Sequence, residues 1–159
     1  MSLSFRMKSN TVAKCFGVVL FTTTLSGCSS TSFTSILSIQ NDTDWSTLYL
    51  RGSFTWWEAD AKYKVEPINA ELYRASVELV ADNQPYDFKF ADADWTPGTR
   101  CGYLDKAKDE IVKEDKIVQA NCDTAADNFK FTPSSSGLYH FYFDTSNDVP
   151  QVYIKKAQD

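Results

Sequence analysis

The stretch LYHFYFD, residues 138–144, decides how the rest of the chain is read. Successive side chains of an extended strand point to opposite faces, so Leu138, His140, Tyr142 and Asp144 share one side. Tyr139, Phe141 and Phe143 share the other. Three aromatic rings on one face and a mixed polar set on the opposite face describe a strand with one side buried and one solvated. Tyr139, Phe141 and Phe143 are therefore the expected core. His140 is expected on the outer face next to Tyr142, where a structural role outweighs a catalytic one.

The same period of two recurs along the chain. LYLRGSF (48–54), AKYKVEP (61–67), LYRASVELV (72–80), YDFKFAD (86–92), NFKFT (128–132) and QVYIKK (151–156) all carry β-branched or aromatic residues at alternate positions. SILSIQN (35–41) is a candidate first strand. Turn chemistry separates them at Asp82-Asn83-Gln84-Pro85, Ser134-Ser135-Ser136-Gly137 and Asn147-Asp148-Val149-Pro150. Short strands punctuated in this way predict an all-β protein, an antiparallel β-sandwich of six to eight strands. GYLDKAKDEIVKEDKIVQAN (102–121) breaks the pattern. It is charged, has helical spacing around 104–112 and a candidate strand at 116–120, and is expected to form a surface excursion.

The N-terminus has a different character. Arg6, Lys8 and Lys14 lead into the apolar run CFGVVLFTTTL, which is too short to span a bilayer and has the layout of a secretory signal. The run ends in Leu25-Ser26-Gly27-Cys28, which resembles the lipobox of bacterial lipoproteins; that resemblance implies acylation of Cys28 as the new N-terminus. The expected organisation is a signal peptide over 1–27, a lipidated polar tether over 28–35 (SSTSFTS from Ser29) and one domain over 36–159. Ser29 after the cysteine fits the outer membrane of a Gram-negative cell. The expected location is thus the bacterial cell envelope, with the membrane contacted through the N-terminal lipid.

Three of the 16 basic residues lie in the signal, leaving 13 against 21 acids, a net charge of −8. That balance disfavours nucleic acid and anionic headgroups and suits a neutral ligand. Of four cysteines, Cys15 is in the signal and Cys28 carries the lipid, so Cys101 and Cys122 remain as an even pair in an exported chain. They are expected to form a disulfide, contributing about 3 kcal/mol by loop closure. Two cysteines and the single histidine do not make up the four ligands of a zinc site at any usual spacing.

No catalytic constellation stands out. Gly-x-Ser-x-Gly, a metal-binding histidine pair and a glycine-rich phosphate loop are all missing from the sequence. Asp92 and Asp94 are paired carboxylates, but two residues apart at a strand end they read as a solvated turn, not as the two sides of a hydrolytic cleft. The expectation is a protein without catalysis or cofactor. Attention passes to Trp45, Trp56, Trp57 and Trp95, of which two sit beside polar residues at strand or turn positions. An indole face attracts the partly positive C–H face of a pyranose, a weak relative of the cation–π attraction. Trp56 and Trp57, if on a strand, face opposite sides.

LYLRGSFTWWEA (48–59) followed by YDFKFADADW (86–95) resembles the starch- and glycogen-binding β-sandwich modules that precede the catalytic domains of pullulanases and branching enzymes. The glycogen-binding domain of AMP-activated protein kinase is a relative. The resemblance spans roughly 46–155 and includes the closing NFKF, SGLYHFYFD and PQVYI. It implies an immunoglobulin-like fold and an α-glucan (starch, glycogen or maltooligosaccharide) as partner. Residue by residue, it makes Trp57 and Trp95 the stacking platforms, Lys89 a donor to a sugar hydroxyl and Asn128 a further polar contact, with Trp56 packing inward or bracing the turn. Thr55-Trp56 departs from the family's asparagine-containing turn, and the segment between the cysteines is longer and more charged than the family's. A shallow site with two platforms implies affinity between about micromolar and millimolar, with multivalency on a membrane compensating. An envelope glycoside hydrolase or transporter is an implied partner. The alternative reading is an immunoglobulin-like envelope module that kept the fold, lost the sugar site and binds a protein through a strand edge or apolar patch.

Overall fold

The structure, a computed structural model, describes residues 43–123 and 126–158. The expected signal, the expected acylation site Cys28, the expected tether and the strand expected at 35–41 lie outside the described residues. Two antiparallel sheets make up the fold, with nine strands among the described residues. The smaller joins β1 (Tyr49–Gly52), β4 (Tyr86–Ala91) and β7 (Phe129–Phe131) in the order β1-β4-β7. The larger has β2 (Glu66–Pro67), β3 (Leu72–Leu79), β5 (Gly102–Tyr103), β6 (Val118–Asn121), β8 (Gly137–Asp144) and β9 (Gln151–Lys156), in the order β2-β3-β8-β9-β6-β5. The chain is an all-β sandwich.

Alternation sets the faces as expected. Tyr139, Phe141 and Phe143 of β8 are fully buried, as are Phe88 and Phe90 of β4 and Phe129 of β7. The aromatic rings meet between the sheets in edge-on or tilted pairs: Phe88 with Phe141 at 4.9 Å, Phe90 with Phe143 and Phe131 with Tyr139 at 5.2 Å. These geometries are favoured by the ring quadrupole, and each pair contributes about 1 kcal/mol beyond its buried area. His140 stands half-buried on the outer face, its Nδ1 2.8 Å from Ser76 Oγ and its ring beside Tyr142. Burial, and then Arg74, push its pKa down, which keeps the imidazole neutral.

Two expectations are corrected. Residues 61–67 do not form one strand: Ala61–Tyr63 is a 3₁₀ turn capped by the Asp60 carboxylate, which accepts from Lys62 N at 2.9 Å, Lys64 makes a single bridge to Tyr49, and the strand itself is Glu66–Pro67. The segment 102–121 is more than a surface excursion. Helix α1 is one turn, Lys106–Asp109; past it, Val112 N donates to Lys130 O at 2.9 Å and Asp115 N to Ile154 O at 2.9 Å. β6 then lies against β9, and Val112, Val118 and Ala120 enter the core. The buried Asp109 holds this course by accepting from Asp105 N and Gln119 N, each at 3.0 Å. Cys101 and Cys122 are disulfide-bonded.

Candidate functional site

β1 and β4 pair so that Arg51 lies opposite Lys89, and the β4–β7 register (Phe88 opposite Phe129) brings Asn128 next in the same row. Leu50, Phe88, Phe90 and Phe129 fill the core, so by alternation this row faces outward. Two turns fold over it, one after β1 and one after β4.

The first turn begins at Gly52. A Cβ there would lie 2.5 Å from Asp87 O and 2.8 Å from the Phe54 ring, a closeness that only glycine accommodates. Ser53–Thr55 is a 3₁₀ turn, closed by one hydroxyl: Thr55 Oγ1 accepts from Gly52 N and donates to Gly52 O, both at 3.1 Å. Trp57 N returns to Gly52 O at 3.1 Å. Trp56 and Trp57 follow in the left-handed region, with φ of 52° and 65°. They are consecutive turn residues, not opposite sides of a strand. Of the two roles expected for Trp56, packing inward or bracing the turn, the first is overturned: it is 88% exposed, while Trp57 is half-buried.

The second turn follows Ala91. Asp92 Oδ1 accepts from Thr96 N at 2.9 Å, and Thr99 closes on Thr96 O through its N–H and its hydroxyl. Burial pushes the Asp92 carboxyl up, but hydrogen bonds from Thr96, Thr99 and the Asp94 backbone outweigh it and hold the group below its ordinary value. Trp95, half-buried, is again left-handed at φ 56°.

One side chain ties the two turns together. Arg51, 4% exposed, donates from Nε to Trp57 O at 2.7 Å and from Nη1 to Asp92 O at 2.7 Å and Ala93 O at 3.2 Å. Its guanidinium carbon lies 3.7 Å from the centre of the Trp95 ring. Burial lowers its pKa while Glu58 and Asp92 raise it, and a guanidinium stays charged throughout. Trp57 and Trp95 are therefore fastened to the same cation. Lys89 Nζ donates to Ala126 O at 2.7 Å. Burial lowers the Lys89 pKa, with Asp127 opposing, and two further N–H groups of the ammonium remain for other acceptors. Asn128 is half-buried beside it.

Non-glycine residues rarely adopt positive φ, and bulky ones do so at a cost of about 1 kcal/mol or more. Among the described residues there are five, and three are Trp56, Trp57 and Trp95. Residues held in such conformations concentrate where the placement of a side chain matters more than local comfort. The arrangement offers indoles at the rim of a sheet face, with a cation bracing one ring and a lysine and an asparagine on the floor. It has the parts for stacking and hydrogen bonding.

The fold is shared with a solved structure. That structure is described as the "Ligand induced structure of AmyP-SBD"; the likeness covers 89% of this chain and 97% of that chain, with a TM-score of 0.51 and 18% identity. At that identity the likeness speaks to architecture, two β-sheets packed face to face. No protein-family model matches the chain, and no curated protein matches it.

Arg51 and Thr55 had no place among the residues expected from sequence to form the site. A basic residue on the outward side of LYLRGSF, one position before Gly52, was the available signal for Arg51. Its value becomes visible only once β1 and β4 are paired.

Proposed function

We propose that the chain is a non-catalytic lipoprotein of the bacterial envelope, anchored through Cys28, whose sandwich domain binds α-glucan by tryptophan stacking. The observation that carries this reading is the strained, left-handed placement of Trp56, Trp57 and Trp95, two of them fixed to Arg51. Trp57 and Trp95 are the central platforms, and the exposed Trp56 extends them at the rim. Lys89 and Asn128 supply polar contacts to hydroxyls, which are costly to desolvate unpaired. The likeness to the solved structure described as AmyP-SBD supports the carbohydrate-binding part of this reading. Asp92 and Asp94 belong to the turn and have no hydrolytic task in this scheme.

The test is electrophoresis of the full chain through native gels containing glycogen or amylopectin. Retardation is expected for the wild type and is lost in Trp57→Ala and Trp95→Ala. A wild type that migrates freely, together with capture of a protein partner that is indifferent to Trp95→Ala, would establish the interaction module instead. Loss of fatty-acid labelling in Cys28→Ser tests the anchor.

A further inference from the structure

The outer face of the six-stranded sheet carries a second constellation, made from other residues. Arg74 of β3, Tyr142 of β8 and Tyr153 of β9 lie in one register row. The β6–β9 pairing of Val118 with Val152 brings Ile117 next to Tyr153 in that row. Tyr142 and Tyr153 stack with ring centres 4.6 Å apart and planes within 11°. Tyr142 thus braces one face of Tyr153. At its other end the row is pinned by the Arg74–Glu66 ion pair at 3.3 Å.

Beside Tyr153 the surface opens into a hollow of about 450 Å³, lined by Asp115, Ile117, Asp144, Tyr153 and Lys155. The volume lies within the ~300–1,000 Å³ common for small-molecule sites. Its chemistry is mixed: an aromatic ring, an isoleucine that is 62% exposed, two carboxylates and one ammonium. Asp115 reaches it from a turn with φ 60°, its own N–H bound to Ile154 O. Asp144 Oδ1 accepts from Ser146 N at 2.9 Å. Burial, with the Asp144 carboxylate and Tyr142, pushes the Tyr153 phenol up, so its hydroxyl stays protonated as a donor. The carboxylates repel phosphate and other anions, and an apolar partner would strand all three charges without water. A neutral ring bearing hydroxyls matches these groups: its hydroxyls donate to Asp115 and Asp144 and accept from Lys155, whose Nζ lies over the Tyr153 ring at 5.7 Å from its centre, and its C–H face meets the exposed Ile117 beside that ring.

We propose that the hollow beside Tyr153 is a second binding site, for a neutral pyranose unit of an oligosaccharide, on the opposite sheet from the tryptophan face. The choice of an α-glucan as its probe rests on the reading given under the proposed function; the site itself rests on its own residues.

Maltoheptaose titrated into the ¹⁵N-labelled full chain, held in a detergent with a zwitterionic rather than a sugar head group, reads both sites at once. The reporters are the amides of 115–117 and β9 for this site and the indole N–H signals for the tryptophan face. Saturable shifts at 115–117 and β9 are expected in the wild type and equally in the Trp57→Ala/Trp95→Ala double variant. Tyr153→Ala is expected to weaken those shifts by at least about tenfold, with Asp115→Asn doing so if Tyr153→Ala fails to fold. Shifts at the indoles with none at β9 overturn the second site and leave the first intact. Shifts at β9 that vanish with the tryptophans also overturn it. Silence at both sets of reporters removes this inference and the glucan reading together.

Discussion

Replacing Arg51 with methionine tests the idea that one guanidinium holds both tryptophan turns. Methionine keeps a stem of similar length but has no donor. The variant loses the bond to Trp57 O, the shared bond to Asp92 O and Ala93 O, and the contact under the Trp95 ring. Two main hydrogen bonds from a charged donor contribute about 1.5–2 kcal/mol net each. A desolvated cation–π contact adds about 1–2 kcal/mol. Against this, methionine avoids the burial of a cation that is 4% exposed. A net loss of about 3 kcal/mol follows, which in a domain of this size lowers Tm by roughly 10 °C. Urea denaturation gives the stability, and migration in glycogen gels at a temperature where the variant remains folded gives the binding. The control is Val77→Ala, a fully buried residue of β3 far from either turn in sequence, whose loss of stability is of similar kind and leaves retardation unchanged. Arg51→Met is expected to lose retardation while still folded. If it binds like wild type and its stability falls by less than about 0.5 kcal/mol, the turns hold themselves and the reasoning is wrong.

Trp56→Gly removes an indole that is 88% exposed from a left-handed position, so the fold is expected to gain about 1 kcal/mol in denaturation while glycogen retardation falls. The Asp92 carboxyl is held below its ordinary value, so its stabilising contribution to the Trp95 turn is complete above that value and is lost as pH drops through the depressed one. The Trp95 indole signal is therefore expected to broaden or shift as pH falls below the ordinary carboxylate range, and Asp92→Asn, which retains an acceptor oxygen, is expected to lack the step. Gly52→Ala forces a Cβ to 2.5 Å from Asp87 O; a loss of about 2–3 kcal/mol is expected in urea denaturation, with the Trp57 turn displaced.

The strands that position the site were legible wherever aromatic residues alternated. β8 and β9 were readable almost to the residue, because Tyr139, Phe141 and Phe143 leave only one way to orient the chain. Residues 61–67 misled because Ala61, Tyr63 and Val65 also alternate, and the Asp60 cap that turns the chain there is a single side-chain bond. Charge hid the role of 102–121, where Val112, Val118 and Ala120 are too sparse among lysines and acids to signal burial. At the site the residue types were visible and the backbone was not. Strand alternation was the wrong frame for Trp56 and Trp57, since the Thr55 hydroxyl ends the strand before them. Nothing in a tryptophan announces positive φ, which ordinarily belongs to glycine or asparagine. Arg51 joins its own turn to Asp92, 41 residues further on, a relation that exists only after pairing.

The Cys101–Cys122 bond closes a 21-residue separation whose interior delivers β5, β6 and part of the core to the larger sheet. Thiols stay reduced in most cytosols. A newly made chain therefore lacks this clasp until it meets an oxidant, and the flank of the sheet that carries Val118 and Ala120 docks without covalent help before then. Maturation of this flank is thus coupled to the redox state of its surroundings, and the reduced polypeptide is easier to unravel than the oxidised one.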